Sequence, residues 1–375
     1  MIAAIVLGLC VALVLYPFAF YPLLLRLIPE KPVARAEPGA ALPAATLVFC
    51  AFNEAAALPG KIANLRSLKV RHPDLEILAF NDGSTDATPA LLAAAADILT
   101  VIDGPGRSGK ARGMKTLAAR AHGDILIFTD ANVRLEEEAI ARLLSCYADP
   151  DVGGVLGSLR YEGYRASASA TVGGLYWRLE EALKDRESRT GNVMGADGSI
   201  FSIRRALYPD FPDHVLDDLV VSMSVVFAGK RLIKARDVVA WENMVAERRD
   251  EMKRKVRIAA RSWHTHRYLR PQLCRMRPLD RFKYGSRKLV RWSGGLWIGI
   301  GAVAAFMLAW SIAPKVAAVL ALVCGNVIII GIVSHRGPLA ALMDILLAYF
   351  ATLRGIALAM RGRDFTIWAP AKSRG

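Results

Sequence analysis

In the first third of the chain, acidic and amide residues close one apolar run after another. TLVFCAF (46–52) leads into Asn53 and Glu54, LEILAFND (75–82) ends at Asn81 and Asp82, ILTVID (98–103) at Asp103, and DILIFTD (124–130) at Asp130 within TDAN. One carboxylate at such a point is ordinarily the cap of the next helix. Four at the same end of successive strands describe a crevice that seeks a cation or a donor, because open α/β sheets bind ligands beyond the carboxyl ends of their strands. Asp130 is thus either a loop cap or a ligand. Lys110 and Arg112 stand among glycines in GKARGMK (109–115), where backbone and cation can approach a phosphate, although the P-loop spacing is absent. Farther on, LDDLV (216–220) sets Asp217 beside Asp218. A carboxylate in a partly dry cleft can take a proton from a hydroxyl, and the same two acids would also simply favour the start of a helix.

These residues need elements to hold them. Between the apolar runs lie helical patterns, EAAALPGKIANLRSL, TPALLAAAADI and GKARGMKTLAARA, so strands alternate with helices. That order predicts an α/β fold with a mostly parallel sheet and right-handed crossovers. Ile125 to Phe128, four apolar residues in a row, fit a central strand buried on both faces. After Asp130 the pattern predicts a strand at 152–161, an amphipathic helix at 172–189 and a strand at 199–205. DDLVVSMSVVFAG then reads as a helix closed by Gly229, and RLIKARDVVAWE as one or two short strands. Trp177, Glu180, Lys184 and Glu187 fall on one helical face, which either lines a ligand path or packs inside.

The composition places this domain beside lipid. Of 375 residues 54% are hydrophobic, and the mean hydropathy is positive. The excess lies in Ile2 to Ile28 and from about Leu289 to Met360. The first segment has no charge before Arg26 and is long enough to cross a hydrocarbon core of roughly 30 Å, so it predicts an uncleaved transmembrane anchor. Lys31 and Arg35 follow it, which puts the middle domain in the cytoplasm by the positive-inside rule. At the other end, 289–312 and 316–334 are credible spans. The segment 338–360 carries Asp344 and Arg354, costly in lipid, and a third crossing would leave Arg361, Arg363, Lys372 and Arg374 outside. Two crossings followed by an interfacial third helix are therefore expected. The divisions read as an anchor (1–30), a Pro- and Ala-rich linker (31–45), the α/β domain (46–270), a basic juxtamembrane segment (271–288), membrane helices (289–360) and a basic tail (361–375).

The net charge is +15, and between Arg248 and Arg291 basic residues outnumber acidic ones about fivefold. A cytoplasmic band facing anionic lipid accounts for it. No nucleic-acid-binding motif accompanies the charge, so nucleic acid is not an expected partner. Five well-separated cysteines fit a reducing compartment without disulfides or a zinc site. His264 and His266, two apart on a helix, point to different faces and do not suggest a metal pair.

Taken in order, FNE (52–54), NDGSTDAT (81–88), GKARGMK (109–115), TDAN (129–132), GADGSIFSIRR (195–205), LDDLV (216–220) and RKVRIAA (254–260) resemble the membrane-bound family 2 glycosyltransferases. That group includes the cellulose, chitin, hyaluronan and poly-N-acetylglucosamine synthases, and the resemblance runs over roughly residues 45 to 265. It implies a GT-A-like, Rossmann-like cytoplasmic domain flanked by transmembrane helices, in the inner membrane. It also implies a UDP-sugar donor and Mg²⁺ or Mn²⁺, held by Asp130 with Asn132 as ligand or neighbour. Asn53, Glu54 and Asp82 would line the uridine pocket, Lys110 and Arg257 would meet the diphosphate with Arg254 beside them, and Asp197 would lie near the donor sugar. Asp218 would be the general base, with Asp217 as its acidic neighbour.

The sequence departs from the family at two points. Asn132 replaces a frequent second Asp, and Arg254-Lys255-Val256-Arg257-Ile258 stands where processive members carry Gln-x-x-Arg-Trp. The expected activity is inverting transfer of a sugar to a polysaccharide chain end, with polysaccharide export proteins and membrane lipids as further partners. Transfer of one sugar to a lipid-linked acceptor is the neighbouring reading, and a non-catalytic nucleotide-binding membrane subunit is the rival from another class. A nucleotidyltransferase on a similar sheet would need neither Asp217/Asp218 nor the membrane block.

Overall fold

The computed structural model describes residues 1–162, 168–243, 248–334 and 337–366, with the backbone alone at 168–176. In chain order the elements are α1 (Ile2–Leu15), α2 (Phe20–Leu25), β1 (Ala45–Ala51), α3 (Leu58–Arg71), β2 (Glu76–Asn81), α4 (Thr88–Ala93) and β3 (Thr100–Asp103). There follow α5 (Lys110–Arg120), β4 (Ile125–Thr129), β5 (Arg134–Leu135), α6 (Ala139–Ser145), β6 (Val152–Glu162), α7 (Ala168–Arg189) and β7 (Ile200–Arg204). Then come α8 (Asp217–Phe227), β8 (Arg231–Asn243), α9 (Arg248–Leu273), α10 (Pro278–Tyr284), a π-helical turn Gly285–Leu289 and the short α11 (Val290–Trp292). The chain closes with α12 (Gly294–Ile312), α13 (Pro314–Val333) and α14 (Gly337–Met360).

The eight strands form one sheet in the order β3-β2-β1-β4-β7-β6-β8-β5. The half carrying the acidic strand ends is parallel as expected: Val48 faces Leu78 of β2 and Phe128 of β4, and Phe80 faces Ile102 of β3. Beyond β4 the sheet is mixed, because β7 runs antiparallel between β4 and β6 and β5 runs antiparallel to β8. β8 is one 13-residue strand, bent by a register shift opposite Leu156/Ser158, where one or two short strands were expected.

β1 is buried at every position, so its side chains serve two cores at period two. Leu47, Phe49 and Ala51 pack with Leu58, Leu65 and Leu68 of α3. Val48 and Cys50 pack on the other face with Met114 and Leu117 of α5 and with α8. This double cover fixes the strand ends, and with them Asn53, Asp82 and Asp130, along one edge.

The N-terminal apolar segment is not one straight helix. It turns at Tyr16–Ala19, where Pro17 lacks the N–H that would continue the ladder. The 14 residues of α1 rise about 21 Å, short of a hydrocarbon core of roughly 30 Å. α1 lies along α12, with Gly301 close to Cys10. α2 docks on the domain through buried Tyr21, whose hydroxyl donates to Glu187 Oε1 at 2.7 Å. The linker is tied down as well: Lys31 N–H donates to the Arg189 carbonyl, Ala36 N–H to that of Ser145, and Arg35 pairs with Asp237 at 2.5 Å.

α12, α13 and α14 are each long and apolar enough to cross a membrane. α14 lies along α9 in the same direction. Arg248 donates to the Ile332 and Ser334 carbonyls (2.7 and 3.0 Å) and pairs with Asp344 at 2.5 Å. Gly355 sits so close to α9 that a Cβ there would fall 2.4 Å from the Val256 carbonyl oxygen. Past the end of α14, the Arg363 carbonyl lies 3.0 Å from His264 Nε2. Asp344, an acid expected to be costly in lipid, thus has its cation on α9. Lys372 and Arg374 lie outside the described residues.

Candidate active site

Asp130 ends β4 beside α5, and Lys110 at the start of α5 reaches it with Nζ 2.6 Å from Oδ1. Burial would lower the Lys110 pKa, but Asp130 and Asp217 outweigh it and hold the ammonium firmly charged. The loop from Gly195 to Gly198 passes over this pair. A Cβ at Gly198 would lie 3.0 Å from Lys110 Nζ, 3.7 Å from Asp218 Oδ2 and 3.8 Å from Asp130 Oδ2. An ammonium and two carboxylates from three separate elements therefore surround one point that lacks a side chain.

Asp217 and Asp218 open α8 as expected. Asp217 is buried with Arg261 3.7 Å away, and Asp218 accepts the Leu219 N–H through Oδ1 at 2.7 Å, leaving Oδ2 toward Gly198. Burial and the Asp217 charge push the Asp218 carboxyl up to about 6. That value suits a group that must be ionised near neutrality yet basic enough to accept a proton.

At the edge near β1 and β2 the expected residues also bind neighbouring loops. Asp82, fully buried, accepts Ser108 N–H (2.7 Å), Ser108 Oγ (2.9 Å) and Gly109 N–H (3.0 Å), with Arg107 at 3.3 Å. Its carboxylate shapes the loop before α5, and Gly109, at φ +91°, supplies a turn that other residues resist. The Arg107 guanidinium stacks 3.1 Å from the Phe52 ring centre. Asn53, at φ +51°, uses its side chain to accept the Thr85 N–H, and the Glu54 backbone N–H donates to Thr88 Oγ1. Asn53, Glu54 and Asp82 thus meet around one loop pair, which they hold in shape.

Other expected site residues are drawn to neighbours. Asn132 donates through Nδ2 to Glu242 Oε1 at 3.0 Å, so Glu242 at the end of β8 enters the site region unforeseen. Asp197 pairs with Lys184 and accepts from Ser199 Oγ; burial would raise its pKa, but Lys184 holds it low. Arg254 pairs with Glu251 one turn back on α9 at 2.9 Å, and Arg257, half-buried, follows on the same face. Ile258 is 38% exposed, so the position of the family's tryptophan presents a small aliphatic group. His266 lies 3.2 Å from the Tyr284 hydroxyl, and among the described residues no group of three His, Cys, Asp or Glu could hold a metal by itself.

The helical face of Trp177, Glu180, Lys184 and Glu187 proves to be a buried polar seam. Trp177 donates to the Leu159 carbonyl at 2.8 Å, with Lys184 Nζ 4.5 Å from its ring. Glu180 meets Arg287 and Arg291, and Glu187 meets Arg287 at 2.5 Å. The segment after α14 also reaches the site, since a Cβ at Gly109 would fall 2.7 Å from the Thr366 carbonyl oxygen.

A carboxylate–lysine pair thus stands at the edge of the parallel half-sheet, with a second acidic pair across a glycine loop. Residues 46–211 match the family model described as Glycosyl transferase family 2, so the chain carries a glycosyltransferase domain. Among solved structures, the mannosyltransferase PcManGT from Pyrobaculum calidifontis, in complex with GDP-Man and Mn²⁺, superposes with a TM-score of 0.75 at 19% identity, over 97% of this chain and 100% of that one. At that identity the likeness establishes the GT-A fold. GalNAc-T7, crystallised with UDP, GalNAc and Mn²⁺, aligns with a TM-score of 0.43 at 15% identity, over 56% of this chain and 45% of that one. No curated protein matches the chain.

The crowding at Gly198 carries its own expectation. In Gly198→Ala the new methyl makes Lys110 Nζ give by a few tenths of an ångström beside Asp130, and a shift that small at a reacting centre is expected to cost a few-fold, about 10-fold at most, in kcat/KM. Steady-state transfer rates would check it, with unchanged thermal melting as the control for folding.

Proposed function

We propose that the protein is an inverting, metal-dependent glycosyltransferase that moves a sugar from a UDP-sugar to a polysaccharide chain end or a lipid-linked sugar. The convergence of Asp218, Lys110 and Asp130 around Gly198 carries this reading. Asp218 removes the acceptor hydroxyl proton as that oxygen attacks the anomeric carbon and the bond to the diphosphate breaks. Lys110 and Arg257 offset the charge that grows on the departing UDP.

The donor set fits Mg²⁺ or Mn²⁺. Asp130 Oδ2 faces the shared space while Lys110 takes Oδ1, and such cations bind through one or two carboxylates completed by substrate phosphates. The cation would draw charge from the leaving diphosphate. Asn132, engaged by Glu242, stands aside from this role. The Mn²⁺ and GDP-Man of PcManGT support the same reading.

The acceptor can be narrowed by two features of α9. Ile258 offers no ring beneath a chain end, and Arg254 is occupied by Glu251, so single transfer to a lipid-linked acceptor gains over processive synthesis. We place the protein in the inner membrane with the domain cytoplasmic. α14, joined to α9 from Arg248 to His264, rests at the interface after two crossings by α12 and α13.

The test is UDP release by the full-length protein in detergent with Mg²⁺ or Mn²⁺, across UDP-sugars and GDP-mannose, with products sized in added membrane lipid. Release with one UDP-sugar and one added residue supports single transfer, and a long product supports the synthase reading. Asp130→Ala is expected to weaken metal-dependent UDP binding at least about 10-fold, since one of the cation's few protein ligands is lost. Metal-independent activity in that variant would sink the assignment.

A further inference from the structure

Buried cations in this half of the molecule have partners. Lys110 pairs with Asp130, Lys184 with Glu181 and Asp197, Lys234 with Glu181 and Asp185, Arg261 with Asp217, and Arg287 with Glu180 and Glu187. Lys283 donates to the carbonyls of Glu187 and Asn192. Lys288, half-buried on the π-helical turn, is the exception: its ammonium forms no hydrogen bond and no ion pair among the described residues. A cation taken partly out of water without a partner is costly, and burial beside Arg287 holds its pKa down at about 8.

Its position is specific. A Cβ at Gly195, where φ is +97°, would lie 3.7 Å from Lys288 Nζ and 2.5 Å from Leu219 Cδ1. The loop of Gly195 to Gly198 therefore has Lys288 at one end and Lys110, Asp130 and Asp218 at the other. Donor-side charge is met at the second end. The first end is supplied by the turn that runs through α11 directly into α12, a helix of membrane-spanning length. Lys288 is thus joined through a short stretch to that helix, while Asp218 lies by Gly198 at the other end of the loop.

We infer that Lys288 binds a phosphate of the acceptor, so that the acceptor is a sugar on a lipid phosphate or diphosphate. This rests on the glycosyltransferase reading above and narrows its acceptor. An ammonium on a flexible stem suits a phosphate oxygen as a point charge. Glu180 and Glu187 pair with Arg287 and Arg291 on either side, which leaves Lys288 without an ion pair at that face among the described residues.

The experiment uses full-length protein in lipid nanodiscs with the active donor and two acceptors: the sugar on a polyisoprenyl diphosphate, and the same sugar as a phosphate-free alkyl glycoside. Wild type is expected to prefer the diphosphate acceptor in kcat/KM by about 10-fold or more. Lys288→Gln should erase that preference through acceptor KM, and Lys288→Arg should keep most of it. An equal loss on both acceptors overturns the proposal, as does a rise in donor KM with acceptor preference intact, which would assign the charge to the donor diphosphate. Wild type without UDP release on either acceptor would instead refute the underlying transferase reading. A melting temperature matching wild type separates lost binding from lost folding.

Discussion

Asp218→Asn is expected to lower transfer about 10²- to 10⁴-fold in kcat, the span that a positioned general base contributes, while UDP binding stays near that of wild type. The amide keeps the shape of the carboxylate and its hydrogen bond from the Leu219 N–H, so the cleft survives and the proton acceptor does not. Single-turnover transfer alongside UDP titration measures both halves. The pH profile adds a second check. Only the ionised carboxylate is a base, and burial with the Asp217 charge places its pKa at about 6. The rate should hold above that value and fall about tenfold for each pH unit below it. Asp217→Asn removes the neighbouring charge, so the acid limb should move to lower pH. An Asp218→Asn enzyme retaining more than a tenth of wild-type kcat would rule out this base.

The second large effect lies outside the chemistry. Glu187, fully buried, accepts from Arg287, from the Tyr21 hydroxyl and from the Met194 N–H at 3.1 Å. Those groups come from α2, from the loop after α7 and from the turn leading through α11 to α12, so one carboxylate fastens α2 and that turn to α7. Glu187→Ala leaves the Arg287 guanidinium short of one of its two carboxylates and strands a hydroxyl and an N–H. Breaking a buried pair in this way costs roughly 3–5 kcal/mol. Thermal or denaturant unfolding in detergent is expected to show that loss, with Glu187→Gln losing less because an amide still offers an acceptor. The apolar cluster of Tyr21, Leu25 and Leu183 at the same junction is small, which leaves the ion pairs the main specific contact there.

The parallel half of the sheet was legible because local pattern dictates it. Apolar runs of strand length, each closed by an acid or amide and followed by a helical pattern, admit few topologies, and β1, β2, β3 and β4 lie as the alternation requires. The places of Asp130 and Lys110 follow directly, since each sits at an element end of a parallel α/β unit, whereas Asp217 and Asp218 open α8 after the antiparallel β7, in the mixed half. The joining of Asp130 to Lys110, twenty positions away, needs β4 and α5 to be neighbours, and the crossover makes them so.

Where local pattern stops, expectation and structure part. Asp82, expected beside the nucleoside, also accepts the backbone N–H groups of Ser108 and Gly109, and backbone donors carry no signature in side-chain sequence. Asn132 is claimed by Glu242, which comes from β8 more than a hundred residues away. The N-terminal segment reads as one apolar span, but Pro17 bends it and the buried bond from Tyr21 to Glu187 turns its second half onto the domain.

Residue order alone thus establishes the α/β alternation, the acidic edge, the paired aspartates and the apolar helices, because hydrophobic period and chain connectivity act over short distances. The partner of each charge is a tertiary property. It depends on which elements the sheet order and the membrane helices bring within about 3 Å, the reach of a hydrogen bond. Lys288 shows the difference most plainly: one lysine in a basic stretch by sequence, and by structure a cation beside Gly195 with no ion pair among the described residues.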